Sequence, residues 1–335
     1  FQLSLVYNTV MDKETAIERF YKENHINPQR VADELDASYD PRLAMLPQKV
    51  DQWLENVDVA DRPVLLELLS RYCYLSKVQC QLRYGRVLSA LQEQLNKLQI
   101  SIEEALFVTI EAGGAYASGG DNVRADLRYR NLGVIEKRQI VAAQSKMLKE
   151  ELNSYRSVLF LDDVLGSGIT MWNAIQQLHT RFPEWFDKQK IFCSSIAPRQ
   201  RGIRHINKNC KKYGISLSWI YEAEWIQKPA FERNSRDYHQ LEKYERCIGE
   251  FLTEPGKSFF MGFAKNRLLL SFYYNTPNNT LSTFWRKGVG VEPPFCRDGD
   301  QPSRPSLEAL KKRKCHMGEQ AYIFGVDRRR QETGG

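Results

Sequence analysis

Ligand pairs for a structural metal are missing from this chain. None of its 7 cysteines forms a Cys-x-x-Cys pair, and its 5 histidines contain no His-x-x-x-His. A zinc knuckle is therefore not expected, and an odd cysteine count argues against a disulfide framework. The pattern fits a reducing cytoplasm. No uncharged apolar stretch approaches the ~18 residues needed to cross a bilayer, so no membrane contact is expected. The first ten residues lack the basic start of a secretory signal, and cytoplasmic localisation is the expectation. A Gly-x-Ser-x-Gly elbow is absent. The run Glu254-Pro255-Gly256-Lys257-Ser258 hints at a P-loop, but Phe251 stands where its first glycine is required. There is no internal repeat and no low-complexity tract.

What is present is ordinary in bulk. The chain has 335 residues, 42% hydrophobic and 27% charged. That length supports one large domain or two ordinary ones with a full core. The net charge of +7 is mild. Much of it lies in Lys311-Lys312-Arg313-Lys314 and Arg328-Arg329-Arg330. A basic tail is commonly a solvated end, and contact with nucleic acid through it is the alternative.

Residues 1–100 read as a helical N-terminal region. Asp12 caps a helix with Ala16, Ile17 and Phe20 on its apolar face. Asp61 opens a longer segment with Pro63 in its first turn. Leu65, Leu68, Leu69, Tyr72, Leu75, Val78 and Leu82 follow at helical spacing, and the stripe resumes from Val87 to Leu98. From 101 to 225 the texture changes to an α/β core. Residues 105–110 form an apolar run suited to a strand buried on both faces. A glycine-rich loop follows, then a polar connection and a helix over about 136–153. Strands are predicted at 158–161, 191–196 and 216–221, with helices at 168–180 and 202–213 between them. That alternation predicts a doubly wound, mainly parallel sheet. Residues 226–297 hold further elements, a helix over 237–252 and a strand over 268–274. The tail, 298–335, is read as poorly ordered.

Chemistry concentrates in Val158-Leu159-Phe160-Leu161-Asp162-Asp163-Val164-Leu165-Gly166-Ser167-Gly168-Ile169-Thr170. Apolar residues drive a strand inward, and two adjacent carboxylates appear where it should end. Such neighbours repel, so Asp162 and Asp163 need a reason to be together. Gly166, Ser167 and Gly168 let backbone N–H groups turn toward one point, and Thr170 opens a helix whose N-terminus favours an anion. The result is a phosphate cradle about one sugar away from two acceptors for vicinal hydroxyls, at a carboxyl end of a strand. Arg199, Arg201, Arg204 and Lys208 read as a solvated helix face.

This run resembles the phosphoribosyl-pyrophosphate loop of type I phosphoribosyltransferases. The resemblance implies that Asp162 and Asp163 hold the ribose hydroxyls and that Gly166, Ser167, Gly168 and Thr170 hold the 5′-phosphate. Gly166 and Ser167 stand where two threonines are common, and Ile169 where a glycine is common. The loop from Glu111 to Gly120 occupies the place of the family's pyrophosphate loop, with Gly113, Gly114, Ser118, Gly119 and Gly120 as its candidates. The fold it implies is a type I phosphoribosyltransferase sheet with a helical N-terminal extension, and Mg²⁺ is implied as the companion of pyrophosphate.

The helical front end, the Ser-Gly-Gly loop and Tyr273-Tyr274-Asn275-Thr276-Pro277-Asn278-Asn279-Thr280-Leu281 with Phe284-Trp285 are similar to phosphoribosyltransferase-like proteins of bacterial anti-phage cassettes, some of retron type. That similarity covers about residues 15–297 and implies an effector controlled by partner proteins. Asn275, Asn278 and Asn279 offer carboxamides to a base or acceptor, and Phe284 and Trp285 offer faces for a flat ring; a turn bonded to its own backbone is the alternative. Three functions fit these readings. The first is an enzyme acting at the anomeric carbon of phosphoribosyl pyrophosphate or a nucleotide. The second is a non-catalytic sensor of a phosphorylated ribose. The third is a scaffold subunit of a defence complex.

Overall fold

A computed structural model describes residues 11–55, 57–110, 119–130, 139–143, 152–232, 235–251, 259–287 and 292–297. The basic tail lies outside them, as do Gly113, Gly114 and Ser118. Contacts divide the chain into two units, residues 76–228 and residues 1–75 with 229–335. The first boundary falls before residue 100 because the helix Lys77–Lys97 packs on strands of the sheet.

The 76–228 unit is built on a five-stranded sheet. Its strands are β2 (Ala105–Thr109), β3 (Ile140–Ala142), β4 (Ser157–Leu165), β5 (Lys190–Pro198) and β6 (Ser218–Ile220). The order is β3-β2-β4-β5-β6 and every pairing is parallel. From β2 the chain winds outward first to β3 and then, on the other side, to β4, β5 and β6. That is a doubly wound α/β sheet, as the alternation of elements predicts. Val158, Phe160, Ile191 and Cys193 meet Met171, Ile175, Ile203 and Ile206 from the covering helices in one core. The helices Ile169–Arg181 and Gln200–Lys212 lie within a residue or two of their expected bounds.

Two expectations fail in this unit. Ile140–Ala142 is a strand, not part of a helix over 136–153, and the polar connection before it contains the helix Gly119–Arg130. The short Ile-Val-Ala run has the β-branched side chains that suit a strand, and it finds its partner in β2, where Phe107 to Thr109 stand opposite it.

The other unit packs the helices Lys13–Glu23, Leu46–Glu55, Arg62–Ser70 and Arg236–Phe251 with a two-stranded parallel ribbon. The ribbon joins β1 (Cys73–Leu75) to β7 (Leu270–Phe272). A strand thus falls inside the front end read as all-helical. The apolar stripe does not continue as helix past Ser70, because the Asn24 carboxamide claims the backbone there. Its Nδ2 donates to Tyr72 O at 2.7 Å and its Oδ1 accepts from Tyr74 N at 2.6 Å. Ser76 then starts the next helix with a capping box to Gln79. Val78 and Leu82, read as core, are exposed on that helix.

Buried polar groups of this unit are tied in series. Tyr72 Oη and Ser271 Oγ lie 2.9 Å apart, Ser271 Oγ and Thr276 Oγ1 lie 2.7 Å apart, and Thr276 Oγ1 donates to Phe295 O at 2.8 Å. Glu245 is fully buried, and its carboxylate accepts from the backbone N–H groups of Met261, Ser282 and Thr283 at 3.2, 3.1 and 2.8 Å. Burial nevertheless pushes Glu245 up to about 7, against those three donors. Between about 4.5 and about 7 the folded chain keeps a proton that the unfolded chain has released. Stability therefore falls as pH rises through that window and is level above it, by up to about 3 kcal/mol. Denaturant unfolding at pH 5 and pH 8 checks this, with Glu245→Gln expected to remove that share of the slope.

Gly262 sits at φ +74°, and a Cβ there would lie 2.2 Å from Asn279 O. Gly262→Ala is expected to lower the unfolding free energy by more than about 2 kcal/mol, read from the denaturant midpoint.

Candidate functional site

The outward winding in two directions leaves one switch point, between β2 and β4. In open α/β sheets a crevice forms there, outside the carboxyl ends of the strands. The end of β2 is pinned on both sides. Ile110 N donates to Leu161 O at 3.1 Å, and Ala143 N donates to Thr109 O at 3.1 Å. β2 then leads into the glycine-rich loop, of which only Gly119 and Gly120 are described; they open the helix Gly119–Arg130.

β4 brings the second half of the site. It runs two residues past the acid pair, to Leu165, so Asp162 and Asp163 belong to the strand instead of ending it. The register explains why. Asp162 stands opposite Ser195 and Val164 opposite Ala197, so β5 supports the chain to that point. Ser195 Oγ donates to Asp163 O at 2.9 Å and accepts from Ala197 N at 3.2 Å. Each carboxylate accepts from the next backbone N–H, Asp162 from Asp163 N at 2.9 Å and Asp163 from Val164 N at 2.6 Å. Asp163 is buried, and Asp162 keeps a partly exposed edge. Burial pushes Asp162 well above the ordinary carboxylate range, and the neighbouring Asp163 charge pushes it further.

The loop after β4 is closely packed. Gly168 takes the left-handed conformation at φ +79° and serves as N-cap of the helix Ile169–Arg181, with no side-chain cap on that N-terminus. Ser167 Oγ accepts weakly from Ile169 N at 3.4 Å. Apart from that weak bond the helix start carries no side-chain cap, and an N-terminus of this kind favours an anion. Gly166, Ser167 and Gly168 are buried, while Thr170 is exposed on the first turn. The loop lies against the start of the helix Gln200–Lys212. A Cβ on Gly168 would lie 2.7 Å from Gly202 O, and one on Gly202 would lie 2.8 Å from Gly166 O. Arg199 N donates to Leu165 O at 2.8 Å. Arg199 is also buried, unlike the exposed Arg201, Arg204 and Lys208. It does not belong to the solvated face on which the sequence pattern placed it, because it precedes the helix and not one of its outer turns.

The candidate acids and loop residues therefore share one strand end at the switch point. Asn275, Asn278 and Asn279 lie in the other unit. Asn275 Oδ1 accepts from Thr276 N at 2.8 Å, and the carbonyls of Asn278 and Asn279 accept from Phe263 N and Leu268 N at 2.7 and 3.1 Å. Phe284 and Trp285 present no open face. Both are buried, and Phe284 packs on Tyr72 and Trp53 at 4.7 and 5.1 Å between ring centroids. Sequence reasoning missed Ser195 and Gly202. Their only signals were a Ser-Ser pair inside an apolar strand and a glycine inside a helix.

A family model described as PRTase-CE matches residues 50–297, more than half of the chain. The chain belongs to this phosphoribosyltransferase-like family. Its matched segment contains β4, the acid pair and the Gly166–Thr170 loop, and it ends where the basic tail begins. Among solved structures, the Helicobacter pylori xanthine-guanine-hypoxanthine phosphoribosyltransferase is similar at 13% identity with a TM-score of 0.27, covering 38% of this chain and 76% of that one. No curated protein matches the sequence.

Gly202→Ala is expected to push the loop off its seat, because its neighbours at 2.8 to 3.0 Å include backbone oxygens that cannot swing away. Thermal unfolding should show a loss of about 1–3 kcal/mol.

Proposed function

We propose that the protein binds a phosphorylated ribose at the carboxyl end of β4 and acts at its anomeric carbon, with phosphoribosyl pyrophosphate or a nucleotide as the ligand. The observation that carries this is the placement of Asp162 and Asp163 one loop before an uncapped helix N-terminus, at the switch point of the sheet. The acids accept hydrogen bonds from the two ribose hydroxyls. The backbone N–H groups of 166–168 and the Thr170 hydroxyl receive the 5′-phosphate. The residues after β2, Gly113, Gly114, Ser118, Gly119 and Gly120, receive the pyrophosphate.

Bond cleavage at the anomeric carbon builds positive charge on the sugar ring. The acid pair lies on the side of the hydroxyls, where its charge stabilises that state, and the loops hold the leaving pyrophosphate in place. Mg²⁺ would come with the pyrophosphate. The donor set fits a hard cation in kind, since Asp162 and Asp163 offer carboxylate oxygens. It is not a complete cage, because among the described residues no three His, Cys, Asp or Glu side chains converge to hold a metal. When bound, the cation would neutralise charge on the leaving group, with the ligand supplying most of its oxygens.

The finer reading is that the protein is an effector of an anti-phage system, governed by partner proteins of its cassette. It rests on the similarity of the front end and the 273–285 segment to such proteins. A sensor that binds the same ligand without turnover is the second reading.

The test is thermal unfolding with and without phosphoribosyl pyrophosphate and Mg²⁺, for wild type and for Asp162→Asn/Asp163→Asn. At ~100 times its dissociation constant the ligand should stabilise wild type by ~2.7 kcal/mol and leave the variant unmoved. No shift in wild type would overturn the ligand assignment. Binding without release of pyrophosphate would favour the sensor.

A further inference from the structure

Charge is segregated in one stretch of the 76–228 unit. The chain carries 41 Asp and Glu beside 48 Lys and Arg, yet none of those acids lies between Lys188 and Tyr221. The helix Gln200–Lys212 falls inside that stretch and is strongly two-sided. Gly202, Ile203, Ile206 and Cys210 are buried, while Arg201, Arg204, Lys208, Lys211 and Lys212 are exposed. The helical period puts positions 201, 204, 208 and 211 on one line along the outer face.

Such a row is unfavourable by itself. Like charges three and four residues apart repel on a helix, and no acid stands at those distances to relieve any of them. A merely solvated helix face alternates both signs. A row of one sign on a helix whose opposite side is anchored in the core is complementary to a row of anions. From 201 to 211 it spans about 15 Å, the length of about four stacked nucleotides at ~3.4 Å each.

Aromatic rings stand at the edge of the row. Tyr213 follows the helix and is 41% exposed, with Lys212 Nζ 5.5 Å from its ring centroid. Gln176 Nε2 donates to Tyr213 Oη at 3.3 Å from the neighbouring helix Ile169–Arg181, which also carries no acid. Trp219 is half-buried, and its Nε1 donates to Asn207 Oδ1 at 2.7 Å, which holds the ring beside the same helix. Unpaired bases stack on such rings. At its other end the row begins beside the loop after β4, since Gly202, next to Arg201, packs against Gly166.

We infer that the outer face of the helix Gln200–Lys212 is a docking surface for a single-stranded nucleic acid, with its phosphates along Arg201, Arg204, Lys208 and Lys211 and its bases toward Tyr213 and Trp219. This goes beyond the sugar reading and stands without it. No covalent step is involved.

The experiment is fluorescence anisotropy of the full chain with labelled single-stranded RNA and DNA of about 12 nucleotides, and with a duplex of the same length, from about 50 to about 200 mM salt. Wild type should bind a single strand more tightly than the duplex, and whichever of RNA and DNA binds more tightly is the strand the surface takes. Arg204→Gln/Lys208→Gln/Lys211→Gln should weaken binding at least about tenfold at the low-salt end and lower the slope of log affinity against log salt by about 2. It should fold as well as wild type, since it removes exposed charges that repel one another. Lys77→Gln/Lys97→Gln/Lys188→Gln removes the same charge from exposed positions elsewhere in the unit and should bind within about twofold of wild type. If the row variant fails to fold, Arg204→Gln and Lys208→Gln singly carry the same test, each with a slope lower by about 0.7. A row variant that binds like wild type would overturn the inference by placing the contact elsewhere, the basic tail included. Equal losses in both triple variants would overturn it as an effect of net charge alone. Wild type that binds neither single strand, or binds the duplex as tightly, would also overturn it.

Discussion

The interior of a parallel sheet has no place for an unpaired carboxylate, and that constraint organises the 76–228 unit. β4 is the central strand, covered on both faces, and its first five residues are buried without exception. Two acids can be carried on such a strand only where it leaves the sheet. Even there they need support, which comes from β5: Ser195 holds the backbone at Asp163, and the register keeps the strand paired to Leu165. Burial and the neighbouring Asp163 charge then raise the cost of charging Asp162.

At the same end of the sheet, close approach of the chain sets the glycines. Gly168 turns the chain through a left-handed conformation into the helix Ile169–Arg181. Gly202 lets the next helix approach the loop so closely that no Cβ fits between them. The backbone of the loop is thereby held in place by its packing. The segment matched by the PRTase-CE family model, residues 50–297, includes both glycines.

The other unit solves a different problem. Its ribbon is only two strands wide, and an isolated ribbon of that size is marginal. Side chains that reach backbone groups across long sequence distances secure it. Asn24 holds β1, Glu245 gathers three N–H groups from two segments, and the Tyr72–Ser271–Thr276 chain ties the ribbon to Phe295. Within the conspicuous 273–285 segment, Thr276, Thr280, Phe284 and Trp285 serve this scaffolding.

The sequence by itself determined the alternation of strand and helix, the doubly wound class and the acid-glycine run, because burial on both faces leaves continuous apolar runs and a cradle needs small residues at fixed spacing. It also marked the helix start at Asp12, which caps through a local hydrogen bond, whereas the cap at Ser76 fell inside a stripe read as continuous helix. Only the tertiary structure decided the rest. Whether Ile140–Ala142 became helix or strand depended on a free edge of β2, and whether the stripe after Leu69 continued depended on Asn24, far away in sequence. That Asp162 and Asp163 stay within β4 and that Gly202 seats the loop both depend on contacts between distant segments. Periodicity and spacing report what a residue does to its neighbours in the chain; they carry no information about which partner waits across the core.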